Sequence, residues 1–336
     1  MWNNLRLKSA IAWAALSVVL LGGGCNRGDD PGTIVVKIGT VLPESHPTAA
    51  SLKFFQKRLA ELSGESMQAQ IYYNSQLGDA NEVLELCRMG DVEMSQVSAA
   101  NLSVYVPLSN VLAMPFIWKD SAHQARVLQG RVSQAIRDKA RERDLEIFGY
   151  LDAGTRNITT TRGPIHKPED LRGMKIRVMN APLMVATIDA LGASAMALNQ
   201  GEVYTALQMG VIDGWENNPM TIATTRMYET GCKYFAWTRH FSIPDILLAG
   251  TPFLNRLTAE QRAWVEQAAK ETIAEQLRMW AESEEQALET MRQAGMLLND
   301  VDVELFRRRV QPIYDQYYQR YGDEFKQLCE EILNAS

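Results

Sequence analysis

Histidine is the scarcest reactive residue in this sequence, with four among 336 residues: His46, His123, His166 and His240. No two of them stand at a metal-ligand spacing. Neither a Gly-x-Ser-x-Gly elbow nor a glycine-rich phosphate loop accompanies them. Hydrolytic, phosphoryl-transfer and metal-dependent reactions therefore leave no signature, and no metal or cofactor is expected. The acidic pairs Asp29-Asp30 and Glu284-Glu285 fall in a polar stretch and on a helix face, where carboxylates are solvated rather than catalytic. Cysteine is equally sparse. Beyond Cys25 there are Cys87, Cys232 and Cys329, an odd number without ligand spacing. One disulfide is compatible with that count, and three isolated thiols are the simpler reading. Basic excess is absent too: the net charge is −6, which argues against nucleic acid as a partner. Only one long apolar run occurs, at residues 10–21, so the rest of the chain is expected to be soluble.

That run belongs to an export signal. Arg6 and Lys8 precede it, and three glycines and Cys25 follow. Its twelve residues would span about 18 Å as a helix, too short for a bilayer core of roughly 30 Å. Residues 1–24 are therefore read as a signal peptide and 25–33 as a polar tether, with delivery to the periplasm. Cys25 after small residues looks like a lipidation site that would anchor the protein by lipid alone. Gly22 stands at the position where such sites prefer leucine, and ordinary cleavage nearby is the alternative.

About 310 residues then remain, more than one hydrophobic core accommodates, which suggests two lobes. Residues 33–151 alternate between strand and helix patterns: strands at 33–39, 68–73, 92–97 and 145–151, helices at 49–62, 81–89 and 122–142, and an apolar segment at 111–117. This is an α/β lobe with a largely parallel sheet. A second block follows, with a strand at Lys175–Val178, a helix at 181–191 and a short helix ending at Gly210. A brief strand is expected at Val211-Ile212, then a turn at Asp213-Gly214 and an irregular segment halted by Pro219. A strand-like run returns at 242–253. From Thr258 to Ala294 there is neither glycine nor proline, and good helix formers dominate, which predicts one helix about 55 Å long. A break at Ser283 is the alternative. The last stretch, 302–333, reads as amphipathic helix broken near Pro312 and Gly322.

Residues 202–219, Glu-Val-Tyr-Thr-Ala-Leu-Gln-Met-Gly-Val-Ile-Asp-Gly-Trp-Glu-Asn-Asn-Pro, carry the strongest functional signal. An aromatic ring, a carboxylate and two amides at the end of a buried strand suit a polar small-molecule site. Upstream, Arg156 follows Gly154-Thr155, and Arg177 lies inside the apolar strand Lys-Ile-Arg-Val. A guanidinium in such a strand needs a partner, and arginine is the preferred fork for a carboxylate. Together with Gln76-Leu77-Gly78, Met114-Pro115-Phe116 and the long helix, this span closely resembles the extracytoplasmic substrate-binding proteins of TRAP transporters, the DctP-like family.

The resemblance implies an α/β, two-lobed periplasmic-binding-protein fold with hinge strands and a long scaffold helix spanning both lobes. By this reading residues 34–153 plus about 243–280 form one lobe, and 154–242 plus about 281–336 the other. It implies a binding protein rather than an enzyme, closing on a small carboxylate and delivering it to TRAP membrane permease subunits. In the family, the arginine matching Arg177 clamps the carboxylate, the one matching Arg156 also reaches the ligand, and the asparagine matching Asn217 bonds the carboxylate or a neighbouring hydroxyl. Two positions depart from the pattern. Gln200 replaces a common aromatic, and Ser98 stands where sialic-acid binders carry an acid. Asn218, His240 and Asp245 look more like members that bind sugar acids, a uronate or an aldonate. A 2-oxo or dicarboxylic acid is the alternative ligand. A periplasmic enzyme on acidic sugars, or a binding protein feeding a signalling receptor, are the alternative functions. Trp215 suits either a sugar-stacking surface or the core. Glu216 suits either the ligand or a brace for the arginines. His46, before Pro47, suits either the cleft or a structural role.

Overall fold

The computed structural model describes residues 32–335. The signal peptide, most of the tether and Cys25 lie outside the described residues. The chain begins with β1 (Ile34–Thr40), α1 (Pro47–Ser63), β2 (Met67–Tyr72), α2 (Ala80–Met89) and β3 (Met94–Ser98). A short α3 (Ala99–Leu102) and a 3-10 turn (Pro107–Ala113) lead to α4 (Ser121–Val127), α5 (Arg131–Arg141) and β4 (Leu145–Leu151). There the chain crosses to a second sheet through β5 (Arg156–Thr160), β6 (Lys175–Val178), α6 (Pro182–Leu191), β7 (Ser194–Ala197), α7 (Val203–Gln208), β8 (Gly214–Asn217), α8 (Pro219–Thr224) and β9 (Tyr234–Phe241). It returns with β10 (Asp245–Gly250) and α9 (Thr251–Leu254), and closes with α10 (Ala259–Gln293), β11 (Leu297–Asp300) and α11 (Val303–Asn334).

Two sheets result, and the protein is two-lobed. The first has the order β2-β1-β3-β10-β4 and the second β11-β9-β5-β8-β6-β7. In the first, β1 runs parallel to β2 and β3, while β10 inserts antiparallel between β3 and β4. The chain thus passes between sheets at residues 152–155 and again at 242–244.

The long helix is continuous. Thr258 caps it, with Gln261 completing a reciprocal capping box, and it runs 35 residues without interruption. At Ser283 the hydroxyl bonds the Met279 carbonyl and the helix continues. Its buried residues recur at helical spacing and change partners along its length. Val265, Ala268 and Ala269 join the core of β1, α1 and β10. Trp280 packs with Met220, and Met291 joins the core under β8 and β9. One rigid rod therefore contributes to both lobes. At its middle, buried Gln276 donates to the Asp152 carbonyl (2.8 Å) and accepts from the Asp152 amide (3.1 Å), fixing the first crossing.

The sequence expectations differ from the structure in five places. The helix read at 122–142 is two helices, α4 and α5, parted at Gly130. The apolar segment 111–117 is the end of a 3-10 turn and a loop. Val211-Ile212 is not a strand: Val211 is exposed, and the strand lies three positions on, at β8, where a turn and irregular chain were expected. The helix α11 passes through Pro312 and departs from helical geometry only at Gly322. The C-terminal segment, expected on the second lobe, also braces the first: Tyr314 donates to the Pro115 carbonyl (2.8 Å), and His123 Nε2 bonds the Ile332 carbonyl (3.0 Å).

Cys87, Cys232 and Cys329 are buried free thiols. Among the described residues no helix is long and apolar enough to cross a membrane.

Gly214 shows how tightly β8 is held between β5 and β6. A Cβ built there would sit 2.3 Å from the Thr159 carbonyl oxygen, a backbone atom that cannot step aside. Gly214→Ala is expected to destabilise the fold by at least about 1 to 3 kcal/mol, the usual penalty of overpacking. Urea unfolding at an unchanged m-value would measure it, and an unaltered midpoint would contradict the packing.

Candidate functional site

A cleft lies where the ends of β3 and β10 in the first lobe face the ends of β5, β6 and β8 in the second. One compartment, with its open mouth, spans about 490 Å³, and its walls include Gln96, Ser98, Asn101, Arg156, Asn217 and Asp245. An adjoining compartment of about 360 Å³ shares Val41, Ala80, Asn101, Met179 and Gln200 with it and has Arg177 in its wall. A wider hollow of about 840 Å³ lies outside β4 against α10, but it contains none of these arginines.

Arg156 opens β5, buried beside Glu216 of β8. Its Nε donates to Glu216 Oε2 at 2.6 Å and its Nη2 to Oε1 at 2.8 Å, a forked pair, with a third bond from Nη2 to the Glu216 carbonyl at 3.0 Å. Burial alone would push the Glu216 carboxyl up. The charge and hydrogen bonds of Arg156 outweigh it and hold the group below the usual carboxylate range. His240 stands behind this pair. Its Nδ1 pairs with Thr238 Oγ1 at 2.9 Å, while Nε2 lies 3.7 Å from Glu216 Oε2, too far for a hydrogen bond. Burial lowers the His240 pKa in spite of Glu216, which keeps the ring neutral at neutral pH.

Arg177 projects from β6 and is 2% exposed. Its Nε and Nη2 both donate to the Leu198 carbonyl, at 2.9 and 2.7 Å, and Nη1 donates to Gln200 Oε1 at 3.3 Å. Both acceptors are neutral. Burial pushes the guanidinium down to about 10, and it remains charged at neutral pH. A buried cation held only by neutral groups is costly to keep out of water, and an anion in the cleft would relieve that cost.

The amides divide into two kinds. Asn217, at the end of β8, uses its Oδ1 on the Asn218 amide at 2.8 Å, and its side chain lines the cleft. Asn218 caps α8: its Oδ1 accepts from the Thr221 amide (2.7 Å) and its Nδ2 donates to the Ala153 carbonyl (2.9 Å). Both of its side-chain groups are engaged in the fold, and the residue also lines the cleft. His46 caps α1 through Nδ1 and pairs through Nε2 with Thr221 Oγ1 at 3.2 Å, a contact between lobes. Burial lowers its pKa to about 3, so it lines the cleft as a neutral wall with both nitrogens engaged. Ser98 caps α3. Gln200 braces Arg177 and borders both compartments. Trp215 is fully buried in the core with Val203, Leu207 and Phe235. Its ring lies on the core side of β8, which removes it as a stacking surface. Asp245, at the start of β10, accepts from Gln96 Nε2 at 2.8 Å.

The sequence reading missed Gln96, Asn101 and Thr221. Gln96 had only a faint signal, because the strand pattern at 92–97 also carries Glu93 and Ser95 and a third polar residue does not stand out there. Asn101 and Thr221 had none, because their importance comes from tertiary neighbours. Asn101 donates to Asn81 Oδ1 at 3.2 Å, and Asn81 in turn reaches the Asn180 carbonyl of the second lobe at 3.5 Å.

The arrangement can hold one small anion: two guanidiniums face the cleft and one carboxylate, Glu216, is committed to the first of them. Comparison with known proteins agrees with this chemistry. The family described as bacterial extracellular solute-binding protein, family 7, matches residues 38–320. A solute-binding protein of Chromohalobacter salexigens is 32% identical over 294 residues, 87% of this chain and 87% of its own. Among solved structures, a TRAP periplasmic solute binding protein from Sulfitobacter sp. NAS-14.1 with bound β-D-galacturonate superposes with a TM-score of 0.87. It is 28% identical, and the match covers 90% of this chain and 100% of that one. A second, from Chromohalobacter salexigens with bound D-glucuronate, gives a TM-score of 0.86 at 31% identity, with coverage of 90% and 100%.

Proposed function

Because the chain belongs to the bacterial extracellular solute-binding proteins of family 7, the periplasmic receptors that serve TRAP permeases, we propose that its cleft captures a sugar monocarboxylate, a uronate or an aldonate. The observation that carries this reading is Arg177, a buried cation whose hydrogen-bond partners are neutral, beside a cleft where the amides of Gln96, Asn101 and Asn217, the Thr221 hydroxyl and the Asp245 carboxyl are interspersed with apolar Val41, Leu42, Val97 and Met179. The ligand carboxylate pairs with Arg177 and is reached by Arg156 and Asn217. Its hydroxyls meet Gln96, Asn101 and Asp245. Those groups keep hydrogen-bonding capacity beyond their bonds to Thr40, Asn81 and each other, and an aliphatic acid of the same length would leave that capacity unmet, at about 1 to 3 kcal/mol for each group stranded. The relatives that carry glucuronate and galacturonate support the same ligand class.

Capture proceeds by closure about the two crossings, residues 152–155 and 242–244, which also mark the lobe boundaries of this reading. The contacts Asn81–Asn180 and His46–Thr221 join the lobes. Ligand contacts made only in the closed form drive the movement. The ligand leaves unchanged, in keeping with a solute-binding receptor. Anchoring through Cys25 is proposed on the sequence alone.

A thermal-shift panel of sugar acids, dicarboxylates and 2-oxo acids tests the ligand class. A uronate or aldonate at a hundred times its dissociation constant is expected to stabilise the protein by about 2.7 kcal/mol. The neutral parent sugars should give little shift. An aliphatic acid binding tenfold better than every sugar acid would overturn the choice.

A further inference from the structure

The sugar-acid reading leaves one carboxyl of the cleft without a defined state. Asp245 opens β10, where the chain re-enters the first lobe, and it lines the same compartment as Arg156 and Asn217. Its Oδ2 accepts from Gln96 Nε2 at 2.8 Å, and Gln96 is held in that orientation by Thr40 Oγ1, which donates to its Oε1 at 2.6 Å. The cation facing Asp245 is Arg156, whose Nε and Nη2 are already committed to Glu216.

The charges around this point can be counted. Arg156 and Arg177 supply two positive charges and Glu216 one negative. Asp152, at the end of β4, reaches Asp245 with a like charge. His46 and His240 are kept neutral by burial. Two other carboxylates nearby are committed to backbone amides: Asp79 caps α2, and exposed Glu202 bonds the Asn199 amide. With Asp152 counted, two positive and two negative charges already balance. The ligand carboxylate brings one negative charge beyond that balance, and an ionised Asp245 would bring a second. With both present, the closed cleft would carry an excess negative charge out of water, which is strongly unfavourable. A neutral carboxylic acid, by contrast, is a hydrogen-bond donor.

We infer that Asp245 holds its proton in the ligand-bound cleft and through it donates a hydrogen bond to an oxygen of the bound acid, so that capture of the anion is coupled to uptake of one proton. The donor role rests on the sugar-acid reading, which supplies the acceptor oxygen; the proton rests on the charge count. The position of Asp245 favours this state. Burial pushes its pKa up to about 7 against the opposing pull of Arg156, so the proton is at hand near neutrality. Asp245 would then discriminate in two ways, rejecting ligands without an acceptor at that point and binding less firmly as the medium turns alkaline.

The test is titration calorimetry of the full chain with D-glucuronate and D-galacturonate between about pH 6 and about pH 9. The dissociation constant is expected to stay level on the acid side of about 7 and to rise toward tenfold per pH unit on the alkaline side. Asp245→Asn is neutral at every pH and is expected to lose the pH dependence, whatever its affinity at about pH 6. Titrations in two buffers of different ionisation enthalpy give an independent reading on the unaltered protein, with uptake near one proton per ligand at about pH 8. A level profile in the unaltered protein, the same rise in Asp245→Asn, or no proton uptake would each overturn the inference while leaving the ligand class intact. Failure of both uronates and of the aldonates in the thermal-shift panel to bind at any pH would overturn the sugar-acid reading itself, and the donor role with it.

Discussion

Replacing Arg177 with alanine is expected to weaken capture of the acid by about 2 to 5 kcal/mol, the range for truncating one side of a buried, hydrogen-bonded charge pair. That is roughly 30-fold to 5,000-fold in affinity. Lysine should be a poor replacement. The guanidinium binds the Leu198 carbonyl through Nε and Nη2 and Gln200 through Nη1, and so holds its own plane fixed before any ligand arrives. A single ammonium cannot keep those bonds and also present a fork to a carboxylate. The ligand-free protein should respond differently from the complex. Without a ligand the buried charge of Arg177 meets only neutral acceptors, so its removal relieves a desolvation penalty while leaving the Leu198 carbonyl short of donors. The two effects oppose each other. The ligand-free melting temperature is therefore expected to move little, while the ligand-induced rise disappears. Ordinary affinity in Arg177→Lys would sink the fork. A collapse of the ligand-free melting temperature in Arg177→Ala would make the residue structural rather than a binding group.

Arg177 was readable from sequence because its signal is local: a charge inside four residues of strand has to be explained whatever the rest of the chain does. The long helix was readable for a similar reason, since 35 residues without glycine or proline leave few alternatives, and Thr258 with Gln261 marks its start. Other features depend on neighbours that sequence does not display. Val211-Ile212 is as apolar as a buried strand, yet β8 forms further on, because Trp215 and Gly214 are the residues that fit between β5 and β6. Trp215 could have faced a sugar or the core, and only the orientation of β8 decides for the core. The two roles open to Glu216 are separated by the position of Arg156, which lies 60 positions away in the chain. Gln96 and Asp245 are 149 positions apart and meet only because β10 inserts beside β3. Charges and amides could thus be flagged as unusual, but which ones face the ligand and which brace another side chain follows from strand order.

Glu216→Gln is expected to produce the second large effect, on stability as well as on binding. The substitution keeps the shape of the side chain and removes its charge. Arg156 then becomes a buried cation without a compensating carboxylate, a change that typically costs about 3 to 5 kcal/mol. Its forked bonds of 2.6 and 2.8 Å lose their ionic partner, so the guanidinium no longer has a fixed position at the cleft wall. Ligand affinity should fall together with stability. A bound carboxylate supplies part of the missing charge, so saturating ligand should narrow the stability gap between variant and unaltered protein. Acid should narrow it as well. The folded-state pKa of Glu216 lies below its unfolded value, so its contribution is present in full above about 4.3, the ordinary glutamate value. That contribution is lost as pH falls from there through the folded-state pKa. The variant has no such contribution to lose. Urea unfolding of both proteins at about pH 7 and about pH 4, with and without D-glucuronate, would measure each part. Equal stabilities at neutral pH would show that Arg156 does not depend on Glu216. A gap that stays constant into acid would show that the charge of Glu216 is not what holds Arg156 in place.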